Sequence, residues 1–277
     1  MLIQHVQDVA HLTNRAPLLI HTLGGLLPGM PYENRVKDGR VLEVACGPGV
    51  WMLSYARTYP EAQVVGIDCR RDLVNYAEKR FREQQVSQRV SAYPIPSFTD
   101  RPFPFFDESF DIISLSCGGL LLQMAEWPFV LKECLRVLRK GGSICITDFD
   151  LPQSNAPALE DWNTLFWQVL QLLGQRPQTD LRFGWLYELE PLVSLTGFRD
   201  GTCIPHVVNF SYGAPLHKDW TRDLLLLVKK YLPIAIEMEL ISQSQSSVLQ
   251  KRIQQGMDLP TFHAIQYFLS VWGRKDY

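Results

Sequence analysis

From residue 41 to residue 147, short apolar runs alternate with amphipathic stretches, and this rhythm constrains the fold more than any other feature of the chain. Val41-Leu42-Glu43-Val44-Ala45 reads as a short buried strand, and Val50 to Thr58 as a helix. Gln63 to Asp68 is a second strand, Asp72 to Gln85 a second helix, and Arg89 to Pro94 a weaker third strand. Phe110 to Leu115 is a fourth strand, Pro128 to Leu138 a helix ended by Gly141-Gly142, and Ser143 to Thr147 a fifth strand. Continuous apolar strands separated by helices predict a parallel sheet covered on both faces. Residues 5–27 read as a helix broken by Pro28-Gly29-Met30-Pro31. Further on, Trp162 to Leu173 and Leu186 to Thr196 read as helices, and residues 203–211 and 263–272 as strands. The span between those strands is far longer than the ~2–5 residues of a hairpin connection, so residues 215–260 read as an inserted helical cover. Its bends are expected at Ser242 to Ser247 and at Gly256.

Composition narrows the classes. With 277 residues, 46% hydrophobic, the chain can bury a sizeable core. A formal net charge of −2 argues against a phosphate-tracking surface and hence against nucleic acid. The six cysteines form no CxxC pair and no zinc spacing, so no metal is expected. No charged leader precedes the first apolar run, and Ala16 to Leu27 is too short and too polar to span a membrane. The expectation is a reduced, cytoplasmic, soluble protein. A homodimer stays open.

The first strand runs into Glu43-Val44-Ala45-Cys46-Gly47-Pro48-Gly49, directly before a helix. Glycines at such a turn let backbone approach a ligand, and the carboxyl end of the first strand is where doubly wound sheets bind nucleotides. Asp68 ends the second strand about 20 residues past Gly49, where a carboxylate accepts hydrogen bonds from a ribose diol. The fourth strand ends in Ser116-Cys117-Gly118-Gly119, whose small residues leave room for a ligand. A dinucleotide fingerprint needs a third glycine where Met52 stands, and no phosphate-loop motif occurs. Ribose and adenine without phosphate fit better.

Four segments, in order and spacing, resemble class I S-adenosylmethionine-dependent methyltransferases, nearest to the ubiquinone/menaquinone methyltransferase-like, small-molecule group. Glu43 to Gly49 resembles the acid-x-G-x-G-x-G motif with Ala45 at the first glycine, and Gly66-Ile67-Asp68 resembles the acidic end of strand two. Pro104 to Asp111 resembles the entry to strand four, and Glu133 to Gly142 the E-x-x-RVL-x-x-GG segment before strand five. The resemblance covers about residues 38–150. It implies a Rossmann-like, doubly wound, mostly parallel seven-stranded α/β sheet with an antiparallel last strand. Residues 1–37 would form an N-terminal helical cap, 38–150 the cofactor-binding core, 151–214 helices and strand six, 215–260 the helical lid, and 261–277 the last strand.

It also implies S-adenosyl-L-methionine as cofactor, S-adenosyl-L-homocysteine as product and a small-molecule acceptor, with O- or C-methylation favoured. Glu43, Ala45, Gly47 and Gly49 would cradle the methionine end, Asp68 would hold the ribose, and Cys46 and Cys69 would lie at strand ends near the cofactor. Leu73, Phe98 and Thr99 would lie against adenine, with Asp100 as the alternative to Thr99 because the usual Gly-Asp pair is missing. Ser116 and Cys117 would line the sulfonium side. Cys46, Cys69 and Cys117 are read as small space-fillers, not reactive thiols. Trp162, Phe166 and Trp167 are read as core or lid packing, with a substrate cage as the alternative. The histidines at 5, 11, 21 and 206 are read as structural or solvated.

Methyl transfer needs a base only for an acceptor that carries its proton at neutral pH. Strand ends face the site, so Asp148, Asp150, Tyr212 and His217 are the candidates, His217 first. The competing readings are an NAD(P)-dependent oxidoreductase on a related fold and a non-catalytic cofactor-binding protein.

Overall fold

The computed structural model describes residues 2–30, 37–177 and 185–276. The side chains of residues 2–11, and with them the histidines at 5 and 11, lie outside the description, as does residue 31 of the expected break. The chain begins with α1 (Leu2–Thr22), β1 (Arg40–Val44), α2 (Val50–Thr58), β2 (Gln63–Asp68), α3 (Arg71–Glu83) and β3 (Val90–Pro94). Then come β4 (Phe110–Ser116), a single 3-10 turn (Gly118–Leu120), α4 (Trp127–Val137), β5 (Leu138–Phe149) and β6 (Gln153–Ser154). The second half holds α5 (Pro157–Leu172), α6 (Trp185–Thr196), β7 (Arg199–Asn209), α7 (His217–Glu237), α8 (Gln243–Met257) and β8 (Ala264–Arg274).

These strands form one sheet in the order β3-β2-β1-β4-β5-β8, with β6 extending the β5 edge of β8 and β7 along its other edge. The pairs β1–β2, β2–β3, β1–β4 and β4–β5 are parallel. β8 is antiparallel to its neighbours, so Ser270 pairs with Thr147 on one side and Ile204 on the other. Strand order reverses between β1 and β4, and the crevice beyond their carboxyl ends is where such sheets bind ligands.

One face of the sheet is covered by α4 and α6, with Trp127, Val130, Leu131 and Trp185 on Leu42, Ile113 and Ile144. On the other face Met52, Tyr55, Ala77 and Phe81 of α2 and α3 pack on Val41, Val64 and Ile112. A third cluster caps the carboxyl ends: Phe149 and Phe268 meet Trp162 and Phe166 of α5 and Trp220 and Leu227 of α7. Burial of side chains this size contributes roughly 1.5–3 kcal/mol each.

Several boundaries differ from expectation. α1 stops at Thr22, with Gly25 N–H returning to the Ile20 carbonyl at 2.8 Å, so Pro28 is not what breaks it. The segment after it is held down by two indoles: Trp51 Nε1 donates to Leu26 O and Trp272 Nε1 to Pro28 O, each at 2.9 Å. α5 starts at Pro157, whose missing N–H suits a first helical position. An eighth strand is present because two residues, Gln153 and Ser154, pair with Ile265 and Ala264. Ser242 to Ser247 is no bend; Ser242 and Gln245 form a capping box that starts α8, and Gly256 lies inside that helix.

Candidate active site

The turn after β1 carries Ala45, Gly47 and Gly49 at φ of 61°, 51° and 70°. Three left-handed residues in five turn the backbone sharply, and Cys46 N–H stays tied to the Ile67 carbonyl at 3.0 Å. Ala45 holds this conformation despite its Cβ, a local strain of the kind concentrated at functional sites. Gly49 is required by packing: a Cβ there would lie 2.6 Å from the Phe81 ring. Gly47 faces open space instead, with only Leu12 of α1 at 3.9 Å from a Cβ position.

Asp68 is fastened beside this turn. Its Oδ2 accepts from Gly47 N–H and its Oδ1 from Arg70 N–H, each at 2.8 Å. Burial pushes its carboxyl above the ordinary aspartate range, against the pull of those two N–H groups. A carboxylate offers about four acceptor positions, so two remain for a diol.

Glu43 is buried in the cleft between α1 and the sheet, where Ala16, Leu19, Trp51, Ser116 and Cys117 also line the wall. Its Oε2 meets no hydrogen-bond donor among the described residues. Burial first, and the negative charge of Asp68 second, push its carboxyl well above the ordinary range. An unspent buried carboxylate oxygen is costly unless a donor or cation completes it, and an ammonium group would supply both.

The adenine-side residues converge from two loops. Ile95 N–H donates to the Asp68 carbonyl at 3.0 Å, and the Phe98 backbone lies near the Cys69 thiol. Leu73 and Phe98 are buried. Thr99 Oγ1 donates to Glu126 Oε1 at 3.3 Å, which leaves Asp100 as the exposed member of the pair. Burial pushes the Cys69 thiol up to about 12 and that of Cys117 up to about 11, the latter opposed by Arg15, and raises Cys46 as well. All three are protonated space-fillers at neutral pH.

Cys117, at φ 57°, ends β4 in a left-handed residue. Beside it lies a chamber lined by Phe149, Trp162, Phe166, Trp220, Asp223 and Gln266. Arg15 reaches in from α1, pairs with Asp223 of α7, and stands 4.9 Å above the Phe149 ring. The side chain of Gln266 is spent on Trp220 Nε1 (2.9 Å) and the Asp150 carbonyl (3.0 Å). Trp162 and Phe166 stack, whereas Trp167 faces Arg176. Sequence reasoning missed Arg15, Asp223 and Arg176; for the first two the signal was a charge directly before an apolar helical run, whereas Arg176 lies beyond the end of α5.

The base candidates are placed differently from one another. Asp148 has no exposed surface; its Oδ2 accepts from Gly119 N–H at 2.6 Å and its Oδ1 from Phe149 N–H at 2.9 Å, with Arg176 alongside. It holds the loop after β4 and has no access to an acceptor. Tyr212 and His217 pair with each other, ring centroids 5.4 Å apart, and His217 Nδ1 lies 3.0 Å from the Phe210 carbonyl. Neither lines the cleft or the chamber as described. Asp150 is buried at the chamber's edge, its carbonyl holding Gln266. His206 meets Ser270 Oγ at 3.0 Å, and burial lowers its pKa.

Met52 is fully buried, and a Cβ on Gly66 would lie 2.5 Å from its sulfur. That side chain fills the place where a dinucleotide fold brings helix and strand together over a glycine. Among the described residues no helix is long and apolar enough to cross a membrane, and no His/Cys/Asp/Glu group could hold a metal ion.

A family model described as the methyltransferase domain matches residues 41–142. The chain is 29% identical over 119 residues to an uncharacterized methyltransferase of Schizosaccharomyces pombe, covering 42% of this chain and 41% of that protein. It is 29% identical over 175 residues to the ubiquinone/menaquinone biosynthesis C-methyltransferase UbiE of Geobacter sulfurreducens, covering 59% of this chain and 66% of that protein. The chain thus spans less than two thirds of both relatives. Among solved structures, phosphoethanolamine N-methyltransferase 2 of Haemonchus contortus, in complex with S-adenosyl-L-methionine, shares the fold at TM-score 0.52 and 18% identity, over 95% of this chain and 52% of that one.

Proposed function

We propose that this protein, whose residues 41–142 match the methyltransferase-domain model, is a class I, Rossmann-like methyltransferase that binds S-adenosyl-L-methionine in the cleft between α1 and the sheet and methylates a small-molecule acceptor. The observation that carries the reading is the buried Glu43, whose unspent Oε2 sits beside a left-handed turn and the anchored Asp68. Bound there, the cofactor supplies a methyl group on a sulfonium, and S-adenosyl-L-homocysteine remains after transfer. Glu43 would receive the ammonium of the methionine end, and a cation at that distance would favour its ionised form. Asp68 would hold the ribose diol through its two remaining acceptor positions. Leu73 and Phe98 would pack the adenine, and Ser116 and Cys117 would face the sulfur. The walls exclude water, and alignment of acceptor, methyl and sulfur supplies most of the rate. α7 and α8, which fill the expected cover between β7 and β8, close over the acceptor side.

Ligand binding to the folded state alone raises thermal stability. S-adenosyl-L-homocysteine at saturation is expected to raise the Tm of the protein. Asp68→Ala is expected to weaken its binding by roughly 1–3 kcal/mol, the cost of losing a charged acceptor. A folded sample with no thermal shift contradicts cofactor binding. A shift that is unchanged in Asp68→Ala contradicts the ribose assignment alone.

A further inference from the structure

The chamber beyond the carboxyl ends of β4 and β5 has two unusual properties for the interior of a cap. Its walls are aromatic, formed by Phe149, Trp162, Phe166 and Trp220, with the Trp162 and Phe166 rings stacked 5.1 Å apart at 9°. Its polar end is an ion pair between elements far apart in sequence: Arg15 and Asp223 are only 8% and 9% exposed. A buried pair of this kind adds little net stability, because desolvation offsets the attraction. Two apolar side chains would join α1 to α7 at least as well. The Trp162 indole N–H is also buried and finds no acceptor among the described residues.

The chamber and the cleft adjoin across α1, where Arg15 lines the one and Ala16 the other. Arg15 pairs with the Asp223 carboxylate in the chamber, while Cys117 lines the cleft and packs against the same cap cluster. We propose that the chamber is the acceptor pocket, that it takes a flat ring bearing an acidic hydroxyl, and that Asp223 receives the hydroxyl proton while Arg15 holds the oxygen anion. This rests on the cleft being the site of a sulfonium methyl donor. In the step, the acceptor O–H bond breaks and its proton goes to Asp223. The oxygen lone pair forms the bond to the methyl carbon. The methyl–sulfur bond breaks with its electron pair left on sulfur, which departs as a neutral thioether. Arg15 faces Asp223 beforehand and then steadies the oxygen. As it stands the chamber is closed to a void of about 10 Å³, barely one water. An acceptor therefore enters by moving α7 away from α1, which exchanges the Arg15–Asp223 contact for contacts with the acceptor oxygen.

The test uses the full chain saturated with S-adenosyl-L-homocysteine and three probes of one shape: 2-naphthol, 2-naphthylamine and naphthalene. Quenching of tryptophan fluorescence reports binding, since Trp162 and Trp220 form the walls. 2-Naphthol is expected to bind at least about tenfold more tightly than the other two, the gain of about one charged hydrogen bond. With tritiated S-adenosylmethionine, Asp223→Asn is expected to lower transfer to 2-naphthol by about 100-fold, the usual loss on removing a base. Transfer to 2,4-dinitro-1-naphthol, which is already ionised at neutral pH, should fall far less in the same variant. A purely structural role would lower both alike. Wild-type protein that binds S-adenosylhomocysteine and shows no preference for the naphthol overturns the proposal, even if the variants do not fold. Equal losses on both naphthols overturn the role of Asp223. Failure to bind S-adenosylhomocysteine removes the cofactor reading itself, and the pocket assignment falls with it.

Discussion

Arg176→Met is expected to destabilise the protein by about 3–5 kcal/mol, the cost of stripping a buried charge of its partner. Asp148 and Arg176 are 0% and 3% exposed. Burial pushes the Asp148 carboxyl up and the Arg176 guanidinium down, and the charge of each is what most opposes the shift of the other. Arg176 also donates to the Gly119 carbonyl at 2.6 Å and lies 4.9 Å from the Trp185 ring centre. Gly119 is enclosed by the pair: a Cβ there would lie 2.7 Å from Arg176 Nη1 and 2.9 Å from Asp148 Oδ2. Methionine fills the volume but leaves the carboxylate without its cation. Urea unfolding of the variant reads the loss directly. The double variant Asp148→Asn/Arg176→Met should recover part of it, because asparagine leaves no lone charge and its amide oxygen can still accept one of the two N–H groups that Asp148 holds. Full stability in the single variant would mean that the pair is neutral in the folded state.

Gly47→Val is expected to lower affinity for S-adenosyl-L-homocysteine by at least about 100-fold, or ~2.7 kcal/mol, with the fold retained. Two effects act together. The residue sits at φ 51°, where a β-branched side chain is strained. Its missing side chain also leaves space between the turn and Leu12 that the methionine end of the cofactor would occupy. The strain would in addition pull the Gly47 N–H away from Asp68. Calorimetric titration measures the affinity, and circular dichroism reports the fold. Wild-type affinity in Gly47→Val would show that the cofactor does not pass this turn.

What could be read from sequence was local. β1, β2, β4 and β5 are buried on both faces, so they stand out as apolar runs. The turn at 43–49 announces itself because its glycines, its acid and the helix after it are contiguous. Pairings between distant elements were not legible. Arg15 and Asp223 are 208 positions apart, and their meeting depends on how α1 and α7 dock. The trace left in the sequence was small: a charge directly before Ala16-Pro17-Leu18-Leu19, and another directly before Leu224 to Leu227. Topology alone favoured His217 and Tyr212 because they follow a strand end. In the fold the chain turns outward there, and the His217 ring is taken up by the Phe210 carbonyl. β6 left no sign, since two residues cannot show a period and exist as a strand only through β8. Ser242 to Ser247 misled because the same polar residues suit a flexible link and a helix N-cap equally.

The most direct measurement is a crystal structure of the protein grown with S-adenosyl-L-homocysteine. The expected density places the ribose diol on Asp68, the ammonium within hydrogen-bond reach of Glu43 Oε2, and adenine between Leu73 and Phe98. The sulfur should point past Ser116 and Cys117 toward Arg15. Density for the ligand elsewhere, or crystals at saturating ligand with water at Glu43 and Asp68, would contradict the account.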